Sequence, residues 1–108
     1  MTQSLVGTNG QGKNPYLKQK VLSASPEQLI SYVYDQILIA CQRKDPEKTL
    51  RGLMGLIQSL NFDYKDVAVP MYQLYQYCLE KARKREYTEV EVLIGGLKAA
   101  WVEAMKVN

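Results

Sequence analysis

The chain has 108 residues, a formal net charge of +3 and a hydrophobic fraction of 46%. That length supports one domain around a single core, and that composition is ordinary for a globular protein, which excludes wholesale disorder. There is no histidine, so the commonest general base and metal ligand is missing, and no apolar run approaches the roughly 18 residues of a membrane span.

The N-terminal stretch also lacks the apolar h-region of a signal peptide. Cys41 and Cys78 both fall on apolar helical faces. They read as reduced core thiols of a cytosolic protein, with a disulfide between them as the alternative. Neither has a CxxC partner, and no phosphate loop or nucleophile elbow is present. The expectation is no enzyme, no metal and no cofactor. The basic clusters Arg43-Lys44 and Lys81-Ala82-Arg83-Lys84-Arg85 stand near helix ends. Solvated turns that complement the helix dipole explain them better than a nucleic-acid site does.

Met1 to Asn14 is rich in Gly, Ser, Thr, Asn and Gln, and reads as a flexible arm. Tyr16, Leu17, Val21 and Leu22 give that arm four apolar points, as a short helical turn or a strap. Residues 1–22 are therefore set apart from a bundle domain over 23–108.

The sharpest boundary follows. Ser25, Pro26 and Gln28 form a capping box with proline at the first helical position. A first helix runs from Pro26 to about Lys44, with Leu29, Ile30, Val33, Tyr34, Ile37, Leu38, Ala40 and Cys41 on its core face. Tyr32 and Ile39 lie together on the other side, as scattered surface residues or as a small second apolar patch.

Asp45-Pro46 is another start signal, and a second helix runs to about Leu60. Leu50, Leu53, Met54, Leu56, Ile57 and Leu60 form its stripe, while Gly52, Gly55 and Ser59 cluster on its back. Each interior glycine destabilises a helix by about 1 kcal/mol relative to alanine, so two on one face require a reason. A loop over Asn61 to Asp66 leads to a third helix ending near Arg85, with Pro70 in or near its first turn. Its core stripe is Met71, Leu74, Tyr75, Cys78, Leu79 and Ala82, with Tyr72 and Tyr77 at or beyond the edges. Edge tyrosines fit either core or a wet groove.

Thr88 and Glu91 are spaced as a second capping box before a fourth helix that runs to about Lys106. Val90, Leu93, Ile94, Leu97, Trp101, Ala104 and Met105 give its apolar face, and Val92, Gly95, Gly96 and Ala99 its back. The smooth backs of the second and fourth helices fit either a docking surface or close packing inside the bundle.

The pattern as a whole predicts an all-α, antiparallel up-down four-helix bundle that binds another protein. Tyr16, Val21, Ser23-Ala24-Ser25-Pro26-Glu27, Leu29-Ile30 and Tyr34-Asp35 stand at the spacing of a tyrosine followed by V-x-[TS]-A-S-P-E-x-L-I and then L-Y-D-G. In this the chain resembles the flagellar export chaperone family, FliS. Leu74-Tyr75-Gln76-Tyr77 and Trp101 extend the resemblance over most of the chain from Tyr16 onward. Gln36 stands where the family has glycine, Val33 where it has leucine, and Asn61–Val69 lacks the usual glycines.

The resemblance implies a cytosolic chaperone that binds the C-terminal segment of flagellin, prevents early polymerisation and presents its client to the type III export gate. An export-gate component is then a possible second partner. It also implies that the N-terminal tyrosine region lies near the client groove. The expected partner-binding residues are Tyr16, Leu17, Tyr32, Ile39, Gly52, Gly55, Tyr72, Tyr77, Val92, Gly95, Gly96 and Ala99, in a monomer or weak dimer without nucleic acid or membrane insertion. The alternative is a homo-oligomeric helical bundle with no flagellin client.

Overall fold

Ser25 caps the first helix as its residue types require. Its Oγ accepts from the Gln28 N–H at 3.2 Å, and Gln28 Oε1 accepts from the Ser25 N–H at 2.9 Å. Two donors that the first turn leaves unpaired are thereby satisfied or matched, and Pro26 gives up no bond. The computed structural model describes residues 25–107. Tyr16, Leu17, Val21 and Leu22, and the boundary expected near residue 22, lie outside the described residues.

Four helices follow: α1 Pro26–Gln42, α2 Pro46–Gln58, α3 Lys65–Arg83 and α4 Tyr87–Val107. Among the described residues there is no strand. The α1 helix packs on α2 and α4, α2 on α3, and α3 on α4, the cyclic order of an up-down bundle. Trp101, late in α4, donates from Nε1 to the carbonyl of Glu27, early in α1, at 2.8 Å. Those two helices are therefore antiparallel.

The core draws on every helix. Tyr34, Ile37 and Cys41 come from α1, and Leu53 and Leu56 from α2. Tyr75, Cys78, Leu79 and Ala82 come from α3, and Tyr87, Val90 and Ile94 from α4. Three hydroxyls are carried inside with partners. The Tyr34 and Tyr75 hydroxyls pair at 2.8 Å, and Thr49 Oγ1 donates to the Asp45 carbonyl at 2.8 Å. Burial pushes both tyrosines above their ordinary range; their hydrogen bond opposes this for Tyr34 and adds to it for Tyr75. Cys41 and Cys78 are both free and buried.

Two boundaries differ from the sequence expectation. The α3 helix begins at Lys65, so Pro70 lies in its second turn rather than its first. Pro70 removes one ladder bond, to the carbonyl of the exposed Asp66, where water can reach; buried Ala68 anchors the same turn. The α4 helix already includes Tyr87, so Thr88 is inside the first turn and does not stand at the N-cap of a box with Glu91. Tyr87 is drawn into the core at 8% exposure, and Arg85, at φ 62°, turns the chain two residues before it.

Candidate functional site

The seam between α1 and α2 is tight at one point and open beside it. At Gly52 a Cβ would stand 2.5 Å from Ile37 Cγ1. Only a glycine lets α1 come this close. Of the two readings of this glycine back, close packing holds at Gly52, which is pressed against the core side chain of Ile37 while it also lines the groove beside it. One turn further, Gly55 has nothing within 4 Å of where a Cβ would be. The backbone is drawn in by Gly52, and no side chain at Gly55 fills the space that follows.

The result is an apolar groove of about 620 Å³ lined by Leu29, Tyr32, Val33, Gln36, Lys48, Arg51, Gly52 and Gly55. Leu29, expected in the core, is 38% exposed here. Tyr32 joins Leu29 and Val33 in this groove, while Ile39, exposed on the same side, is not among its lining residues. Lys48 and Arg51 give one lip a positive charge. Arg51 is tied to Glu47 at 2.9 Å, but both are largely exposed, so the pair is weak and readily exchanged. An apolar floor with a basic lip suits an amphipathic segment that carries acidic residues along one edge.

Other expected residues stand apart from the groove. On α4, Val92, Gly96 and Ala99 are exposed, and neither Gly95 nor Gly96 has anything within 4 Å of a Cβ position. This face is smooth and open. On α3, Tyr72 meets Phe62 edge to face, with ring centroids 5.9 Å apart. Tyr77, on another side of the same helix, lies beneath the Lys81 ammonium at 5.3 Å. The two tyrosines thus belong to separate small contacts. Met54, expected in the core stripe, is 48% exposed.

Sequence reasoning missed Gln36, Lys48 and Arg51 as groove residues, and assigned Leu29 and Val33 wholly to the core. The signal was the glycine pair itself, which has a consequence only once the facing helix is known. Among the described residues no group of three His, Cys, Asp or Glu could hold a metal ion, and no helix is long and apolar enough to cross a membrane.

Compared with protein families, the chain matches the model described as "Flagellar protein FliS" over residues 8–108. Comparison with curated proteins and with solved structures finds no match.

Proposed function

Because the chain belongs to the FliS family of flagellar proteins, we propose that it is a cytoplasmic flagellar export chaperone whose client is the C-terminal segment of flagellin. The family match supports the export-chaperone role. The observation that carries the client reading is the unfilled groove between α1 and α2, which opens at Gly55 beside the close approach at Gly52. A segment that cannot yet self-assemble hides its apolar stripe in that groove and continues along the smooth face of α4. Folding on binding gives a broad interface of modest affinity, which suits a client that must be released for export.

Calorimetric titration with the C-terminal segment of the host flagellin tests this. We expect saturable binding, weakened at least about tenfold by Gly55→Trp or Gly96→Trp, with the melting temperature nearly unchanged. A stable dimer that ignores flagellin contradicts the proposal and favours a self-associating bundle. The proposal extends to the leader, where Tyr16 and Leu17 form a weak latch that the client displaces. Tyr16→Ala should then speed amide exchange along the groove without loss of global stability, and unchanged exchange rules the latch out.

A further inference from the structure

The up-down topology brings the α1–α2 turn and the α3–α4 turn to the same end of the bundle. Both turns are built alike. After α1, the Lys44 N–H bonds the Cys41 carbonyl at 3.0 Å and the Asp45 N–H bonds the Ala40 carbonyl at 2.9 Å. After α3, the Arg85 N–H bonds the Ala82 carbonyl at 2.9 Å and the Glu86 N–H bonds the Lys81 carbonyl at 2.9 Å. This is the Schellman pattern twice, with a left-handed residue just past each helix, where glycine is the favoured residue. Here that residue is a cation both times, Lys44 at φ 54° and Arg85 at φ 62°. Among the described residues no other non-glycine residue has a positive φ. The backbone at these two positions does not call for a side chain, yet both carry a long basic one.

Arg43 and Arg83 flank them, and all four are exposed. None of the ion pairs among the described residues uses Arg43, Lys44, Arg83 or Arg85. The nearby carboxylates are committed elsewhere: Asp45 caps α2, Glu80 pairs with Lys84, and Glu86 and Glu89 both hold Lys81. The pole thus presents four free cations on two rigid turns. Residues 1–24 contain no Asp or Glu, so the chain's own leader does not supply the counter-charge.

We propose that this basic pole docks an acidic segment of a partner protein. Glu47, Glu80 and Glu86 are exposed, and each stands within three residues in sequence of one of these cations, which disfavours a continuous polyanion. Carboxylates spaced along a peptide can engage the free cations alone, and the planar guanidinium of arginine matches a carboxylate in two parallel bonds. Below the pole the apolar groove is a separate surface, so the inference does not depend on the client proposal.

Fluorescence polarisation with a labelled peptide of alternating Glu and Gly tests it, against the same peptide with Gln for Glu. The acidic peptide should bind and weaken with added salt, and the neutral one should not bind. Lys44→Gly combined with Arg85→Gly should weaken binding about five- to tenfold while the melting temperature stays equal or rises. Arg83→Gln should give a smaller loss in the same direction. Binding indifferent to these substitutions overturns the proposal, as does no binding at all. A lowered melting temperature in the glycine variant also overturns it, because the cations would then serve the fold. Stronger binding to phosphatidylserine vesicles or duplex DNA than to the peptide would assign the pole to another class of partner and overturn this one.

Discussion

The two seams of α1 are closed by different means. Against α4, the seam is fastened over the first half of α1 by specific contacts. The Trp101 indole donates to the Glu27 carbonyl, its ring meets Tyr34 edge to face at 6.4 Å, and Lys98 pairs with Asp35. Against α2, the approach is set by the absence of a side chain at Gly52, and beyond that point the seam opens. Large side chains with polar tips hold the first seam, and missing side chains shape the second. The difference teaches where stability and binding are separated in this bundle. A substitution in the α4 seam should be felt in the fold, and one in the open part of the α2 seam in the client.

The largest expected effect follows from the fastened seam. Trp101→Ala removes the indole from Tyr34 and leaves the α1 end unfastened, and should destabilise the protein by about 2–4 kcal/mol in urea unfolding. Trp101→Phe keeps the ring and loses the hydrogen bond, and should account for about 1 kcal/mol of that. Next comes the tight point of the other seam. Gly52→Ala drives a methyl into buried Ile37 and should destabilise by about 1–3 kcal/mol.

The core beneath both seams gives a pH test. Burial, and then the neighbouring Cys41, push the Cys78 thiol up to about 11 from its ordinary value near 9. The unfolded chain releases that proton at lower pH than the folded one. Stability is therefore full below about pH 9 and falls as pH rises towards 11. Tyr34 and Tyr75, also held protonated by burial, continue the fall above 10. Cys78→Ala should flatten the first part of this decline in thermal melts across pH. The smallest effect has the opposite sign: Gly55→Ala meets nothing, and should stabilise α2 by up to about 1 kcal/mol. Equal destabilisation by alanine at 52 and 55 would erase the contrast drawn within the α2 seam.

Much of the fold was legible from local chemistry. Ser25-Pro26 and Asp45-Pro46 name their own helix starts, and both side-chain caps form. The core stripes follow from a period of 3.6 and hold at Tyr34, Leu53, Cys78 and Ile94. Boundaries set by tertiary contacts were less legible. Buried Ala68 carries α3 back past Pro70, and buried Tyr87 starts α4 one residue before Thr88. The groove was legible only in part. Gly52 and Gly55 look alike along one helix, and only the position of Ile37 tells which is a contact and which a gap. The shared pole of Lys44 and Arg85 needed the topology as well, since they stand 41 positions apart in sequence.

The central claim is that the α1–α2 groove and the open face of α4 receive the client, while the α1–α4 seam serves the fold. Hydrogen exchange with and without the flagellin C-terminal segment tests it most directly. The account predicts added protection at 29, 32, 33 and 36, along 48–55 and at 92, 96 and 99, with exchange at Tyr34 and at Trp101 governed by global stability in both states. Protection confined to the loop at 61–64 and the start of α3, with the groove amides unchanged, would contradict it.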